Sequence, residues 1–309
     1  MLYMKNNEGF NITHNFDTVY FHKAYSVAKA SQVCDFAKVQ KAINNNDIAI
    51  LEFIYKVKFC TLKHIERYCK KVGLDYDANR IDYLYNSRII NICGFVDKED
   101  MNDFKKSLPA DALICYFLDD AGRVILEKYG NYMYIEWGLD YALEGAYNIG
   151  RYLCATDMYI NILATTSLEL EEYEASPYFT ILRTYLVGLS HYRFKFGDNV
   201  YYFLTDIFRS SDSKMQTKKK IKLYESLLAT NFWKKYYGDS EDVPMFIVQT
   251  DNDEYAKELA RMIGAETRIK SFRITTDDRL YKGLGTYGAF LSYDEETEEL
   301  KEVAIKFFE

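Results

Sequence analysis

The sequence predicts an α+β chain, with an N-terminal winged helix-turn-helix followed by an α/β domain that holds a mixed sheet. Three observations carry this expectation. Residues 48–93 run from helix to capped helix, glycine turn, short helix and β-branched strand. Beyond about residue 160, segments alternate with period two and then give way to strand–helix–strand order. With 309 residues, 49% of them apolar and 28% charged, the chain can fill two cores and is too apolar to stay disordered.

Residues 1–35 are Asn-rich and aromatic without a clear period, and are expected as an arm. The first helix places Ile48, Leu51, Ile54 and Tyr55 on one face. Thr61 stands where an N-cap belongs, because its hydroxyl can accept from free backbone N–H groups of the next turn. Ile65 and Tyr68 then form the buried face of the second helix. Gly73 permits the turn, and Asp77 caps a third helix that turns Ile81 and Leu84 inward. Ile89 to Ile92 has the β-branched character of a wing strand, with Leu113 to Phe117 as its partner across the charged loop from Asp97 to Lys106. Helices are expected over Ala121–Tyr129 and Trp137–Leu153, the latter bridging to the second half or mediating a dimer contact. There, the stretches 168–171, 179–189 and 192–207 read as strands joined by turns at Ser176-Pro177 and Gly197-Asp198-Asn199. A lysine-rich helix follows, with Ile221, Leu223, Leu227 and Leu228 inward. Next come a buried strand at Met245–Gln249, a helix from Asn252 to Ile263, a strand at Ile269–Ile274 and a hairpin around Glu295–Glu299. The expected division is an arm (1–35), a winged helix-turn-helix domain (36–130), a helical connector (131–159) and an α/β domain (160–309).

A three-helix unit with a wing usually lays its third helix in the DNA major groove. With Ile81 and Leu84 buried, Asn79, Arg80, Tyr83, Asn86 and Arg88 are left to face outward. Arg and Asn are the types that pair bidentately with guanine and adenine edges. Lys63 and Arg67 of the second helix join them as expected DNA contacts. Between Asp35 and Ile92, ten basic residues face seven acidic ones, a local +3 in a chain of −7, so positive charge gathers in this segment. On this reading Arg80→Ala weakens specific binding and leaves the fold intact. Lys218, Lys219 and Lys220, with Lys214 and Lys222, form the densest positive run. They offer sequence-independent phosphate contacts or, equally, a solvated helix face carrying Glu225. Asp75, Asp77 and Asp82 support a different reading, in which the winged helix is a protein-binding surface of an adaptor or inhibitor. Double-stranded DNA is the expected partner, with a second copy of the chain or another protein as alternatives.

Other chemistries find less support. The six cysteines are scattered without a CxxC pair, and with four histidines (14, 22, 64 and 191) they offer no zinc-ligand spacing; free buried thiols are expected. Gly283-Leu284-Gly285-Thr286-Tyr287-Gly288 matches a dinucleotide fingerprint by letter, yet polar residues precede it and a strand follows it, so a turn is expected. His64 and His191 have no activating Ser or Cys nearby. No cofactor or metal is expected. The sequence has no apolar run near 18 residues and no leader pattern, which predicts a cytoplasmic protein without a membrane partner. The 29 tyrosines against 3 prolines have a bland explanation in half-buried amphipathic rings, with base stacking as the alternative.

The strings TLKHIERYCKKV and NRIDYLYNSRII in the first half, then GDNVYYFLTDIFRSS, KKKIKLYESLL and MFIVQTDNDEYAKELA, together resemble the plasmid replication-relaxation family of Gram-positive mobile elements. The resemblance spans most of residues 45–265. It implies a winged helix joined to a restriction-endonuclease-like domain, acting in replication, transfer or transcription control of a plasmid, conjugative element or phage. Family members carry an acidic pair, glutamate-any-aspartate, ahead of the basic helix. Here Asp206 fits the second position and Leu204 occupies the first. An endonuclease core needs carboxylates from two strands plus a lysine around a divalent metal. Asp198 and Asp206 are the nearest candidates, with no D/E-x-K triplet at the expected strand. The resemblance therefore implies a degenerate core that binds without cutting, with metal-dependent nuclease activity as the lower-ranked alternative.

Overall fold

The computed structural model describes residues 16–20, 31, 32, 35, 42–97, 113–130, 132–135, 145–164, 169–305 and 308. It is an α+β structure that divides into two compact units, with the boundary between Ile160 and Asn161.

In the first unit, α1 (Asn45–Val57) starts from a reciprocal cap. Asn44 Oδ1 accepts from the Asp47 amide at 2.9 Å and Asp47 Oδ2 accepts from the Asn44 amide at 2.8 Å. Its buried face is Ile50, Leu51, Phe53, Ile54 and Val57, while Ile48 and Tyr55 are half-buried. The stripe is wider than the expected one because α1 packs against both a strand and a later helix. Cys60 then exchanges two backbone hydrogen bonds with Tyr116, at 3.0 and 2.7 Å. Thr61 caps α2 (Leu62–Val72), and Gly73 closes it in the left-handed conformation, φ 72°, donating to the Cys69 carbonyl. Asp77 caps α3 (Ala78–Asn86), which buries Ile81 and Leu84.

The following strand β2 (Ile90–Asp97) pairs antiparallel with β3 (Ile114–Leu118), in register from Ile90↔Leu118 to Gly94↔Ile114. On its other edge β2 pairs with β1 (Phe16–Tyr20), a strand within the segment expected as an arm. Period two is hard to detect in five residues, and β1 is specified by the edge it completes. Most of the rest of the arm, the loop after Asp97 and the start of the helix expected at Trp137 lie outside the described residues. α4 (Asp120–Tyr129) follows, and α5 (Ala146–Leu163) reaches further along the chain than its expected end at Leu153.

The second unit is built on a mixed seven-stranded sheet. Its strands are β4 (Glu169–Ala175), β7 (Ser190–Phe196), β8 (Asn199–Ile207), β9 (Met245–Thr250), β10 (Phe272–Thr276), β11 (Phe290–Asp294) and β12 (Glu299–Val303), in the spatial order β12-β11-β10-β9-β8-β7-β4. β8, β9 and β10 run parallel and the remaining neighbours antiparallel. The two crossovers are α6 (Lys214–Leu228) and α7 (Asp253–Gly264). Between β4 and β7, the strands β5 (Tyr178–Ile181) and β6 (Thr184–Val187) form a separate two-stranded hairpin, where consecutive strands of one sheet were expected. Inside α6, Tyr224 replaces the expected Leu223 as the buried residue, because its ring stacks on Phe246 at 4.3 Å. A short α8 (Asp277–Tyr281) leads into the glycine turn, where Gly283 and Gly288 have φ of 100° and 83°. No described helix is long and apolar enough to cross a membrane.

Candidate nucleic-acid interface

The outer surface of α3 follows from what the helix buries. With Ile81 and Leu84 inside, Asn79, Asp82 and Asn86 are exposed and Tyr83 is half-exposed. Positions 79, 82, 83 and 86 share one face by helical spacing. Asn79 is steadied by Asp77, whose Oδ1 accepts from the Asn79 amide at 2.9 Å and from its Nδ2 at 3.2 Å. On α2, Lys63, Lys70 and Lys71 are exposed, and Asp75 and Asp77 are exposed between the two helices.

Two of the arginines expected in this surface are tied elsewhere. Arg80 donates from Nε to Asp47 Oδ1 at 2.7 Å and from Nη2 to Asp47 Oδ2, and also reaches the carbonyl of Ala42. Asp47 is fully buried, so this fork supplies the charge partner it needs. The guanidinium also lies over the Tyr83 ring, 4.5 Å from its centroid. Arg80 is therefore a strut between α3 and α1. Arg67 pairs with Asp157 of α5, which also accepts from His64 Nε2 at 3.2 Å. His64 Nδ1 accepts the Thr61 amide at 3.1 Å, so the ring carries its proton on Nε2 and faces Asp157 with it. Burial pushes the Asp157 carboxyl up, but His64 and Arg67 outweigh it and hold the group below the usual carboxylate range.

Arg88 sits in the left-handed region, φ 60°, at the entry to β2 and is half-buried. It neighbours Asp119, the N-cap of α4, which accepts from the Asp120 amide at 2.7 Å and from Asn91 Nδ2 at 3.2 Å. Burial pushes the Asp119 carboxyl up to about 6, against the opposing pull of the Asp120 amide, Arg88 and Asn91. Cys93 and Cys115 face each other across β2 and β3, and both thiols are buried and outside any disulfide, as are those of Cys60, Cys69 and Cys154. Cys34, His14 and His22 lie outside the described residues.

The lysine run in the second unit is largely neutralised by its surroundings. Lys214 pairs with Glu258 at 2.5 Å, Lys218 with Glu266 at 2.9 Å and Lys222 with Glu225 at 2.9 Å. Lys220 turns inward to Asp206 at 2.6 Å. Lys219 alone of the five is exposed without an ion pair among the described residues. Asp206 is fully buried and also holds the Tyr224 hydroxyl at 2.5 Å and the Ile207 amide at 2.8 Å. Asp198 lies in the turn at the opposite end of β8, eight residues away, or roughly 26 Å along an extended strand. These two carboxylates cannot share one metal ion. Among the described residues no group of three His, Cys, Asp or Glu side chains is placed to hold a metal.

One buried cluster was not legible in the sequence. At the C-terminal ends of the three parallel strands, Arg209 Nη1 donates to Asp277 Oδ2 at 2.7 Å, and Gln249 Nε2 to Asp277 Oδ1 at 2.6 Å. All three side chains are buried. The available signal was a polar residue within two positions of each strand end, at 209, 249 and 277. Recognising their convergence requires the parallel pairing of β8, β9 and β10.

No family model, curated protein or solved structure matches this chain.

Proposed function

We propose that this chain is a non-enzymatic DNA-binding protein of a plasmid, conjugative element or phage, acting in replication, transfer or transcription control. The first unit is read as a winged helix-turn-helix, with α3 as the helix presented to duplex DNA and β2–β3 as its wing. The observation that carries this reading is the joint exposure of Asn79 and Asn86 on one face of α3, with Tyr83 half-exposed between them, beside Lys63, Lys70 and Lys71 of α2. Asparagine recognises adenine edges, aspartate at position 82 can accept from a cytosine amino group, and the lysines meet phosphates. Double-stranded DNA is the partner this surface fits. The one-residue bridge from Cys60 to Tyr116 supports the same reading, because it fastens the helices to the hairpin.

On this proposal the second unit is a degenerate, non-cutting core of the restriction-endonuclease-like kind found in the replication-relaxation family. Support comes from Asp206, whose oxygens are occupied by Lys220, Tyr224 and a backbone amide, and from the distance that separates it from Asp198. A second reading, a protein-interaction adaptor, draws on the exposed Asp75, Asp77 and Asp82 around α3.

Mobility-shift titration with duplex DNA of the host element tests the proposal. We expect binding that weakens as salt rises, and a loss of about 1–3 kcal/mol of sequence discrimination in Asn86→Ala. Absence of salt-sensitive binding near physiological ionic strength, with co-purification of a defined protein, would favour the adaptor.

A further inference from the structure

The β5–β6 hairpin stands outside the seven-stranded sheet and has two unlike faces. Its register pairs Tyr178 with Val187 and Thr180 with Tyr185 on one face, and Phe179 with Leu186 and Ile181 with Thr184 on the other. Phe179, Ile181 and Leu186 are buried in the core of the second unit. The opposite face holds Tyr178 and Tyr185, 58% and 60% exposed, and the tip holds Leu182, 78% exposed. The two tyrosine rings stack on each other, 5.5 Å between centroids and 21° between planes, so each keeps an outer face open to solvent.

Burial does not account for these rings, and strand addition beside Thr180 is blocked. Tyr236 Oη accepts from the Thr180 amide at 2.7 Å and donates to the Thr180 carbonyl at 3.0 Å, which closes the outer edge of β5 there. The charge around the hairpin runs against the acidic balance of the chain. Arg183 at the tip is exposed, with no ion pair among the described residues. Lys235 lies 5.1 Å from the centroid of the Tyr236 ring and likewise has no carboxylate partner there. A groove of about 710 Å³ leads from Leu182 and Arg183 past Phe232 to Arg268, which is 74% exposed and shares Glu225 with Lys222.

We propose that this hairpin is a docking surface for single-stranded nucleic acid. Exposed aromatic faces on a hairpin whose tip carries Arg183 suit a polyanion whose planar bases are free to stack. A duplex keeps its base planes inside its own stack, so the tyrosines discriminate in favour of a single strand. Arg183 at the tip and Lys235 beside Tyr236 supply phosphate contacts. The inference does not depend on the role of α3.

Fluorescence anisotropy of the full chain with a labelled oligothymidylate of about a dozen nucleotides, beside a duplex of equal length, tests it. The single strand is expected to bind with salt-sensitive affinity. The double substitution Tyr178→Ala/Tyr185→Ala should weaken it by about tenfold or more, and Tyr178→Phe/Tyr185→Phe should restore it, because phenylalanine keeps the stacking face. Arg183→Glu should weaken it and flatten the salt dependence. Circular dichroism checks that each variant is folded. Failure of the oligonucleotide to bind at low salt, or binding indifferent to all of these substitutions, overturns the proposal. So does self-association of the chain, by sedimentation, that the alanine pair abolishes in the absence of any single-strand binding; that result would assign the face to a second copy.

Discussion

Asp119 is a buried carboxylate that folding makes a weaker acid, with its pKa pushed up to about 6. The folded state therefore takes up a proton at a higher pH than the unfolded chain does. The stability linked to this proton is fully present below the ordinary carboxylate pKa of about 4 and is lost as the pH rises through 6, an effect of about 2–3 kcal/mol. Denaturant titrations at pH 7 and pH 5 should show the first unit more stable at pH 5. In Asp119→Asn that gain should vanish; a gain of equal size in the variant would remove Asp119 as its source. Asp157 works in the opposite sense, since its lowered pKa contributes stability that is lost at more acid pH, so the comparison belongs above pH 5. Arg80 is the second residue whose role the structure changes. Arg80→Ala strands a fully buried Asp47 and should destabilise the first unit by roughly 2–4 kcal/mol, reduced from the usual cost of breaking a buried pair because Arg80 is partly exposed. The double variant with Asp47→Ala should cost less than the sum of the two single changes. Additive losses would show the two residues to be uncoupled. The expectation that Arg80 could be removed without touching the fold is thus replaced, and Asn79 and Asn86 become the residues on which the proposed DNA binding is tested.

At the level of elements, local sequence chemistry carried much of the architecture. The caps at Thr61 and Asp77, the left-handed Gly73 and the inward pair Ile81 and Leu84 stand where short-range rules place them, because each depends on neighbours within one or two turns. Close approaches between elements left no such trace. Gly122 lies inside α4, where alanine would ordinarily be favoured, yet a Cβ there would sit 2.3 Å from the Ile89 carbonyl oxygen and 2.6 Å from a Leu118 methyl. Gly122→Ala should therefore lower the melting temperature of the first unit, with overpacking of about 1–3 kcal/mol outweighing the roughly 1 kcal/mol of helix propensity gained. An unchanged or raised melting temperature would show that α4 can shift away from β2 at little cost. The lysines of α6 teach the same lesson about charge. Five of them in nine residues look like a phosphate-binding strip, and partners from α6 itself, α7, β8 and the segment after α7 consume four.

For the molecule as a whole, the two units offer separate surfaces, and their proposed ligands should separate as well. Asn79→Ala/Asn86→Ala is expected to weaken duplex binding several-fold while single-strand binding holds, and Tyr178→Ala/Tyr185→Ala to do the reverse. A parallel loss of both in either variant would point to one shared site. Period, capping and composition alone determined the two-part α+β layout, the order of most elements and the local excess of positive charge near α2 and α3, because those properties are written in residues close together in the chain. Which charges remain available was decided only by tertiary structure. Asp47 reaches Arg80 across 33 positions, Arg209 reaches Asp277 across 68 and Arg67 reaches Asp157 across 90. A buried carboxylate must find a cation wherever the fold supplies one, and that pairing removes the cation from any surface it could otherwise have served.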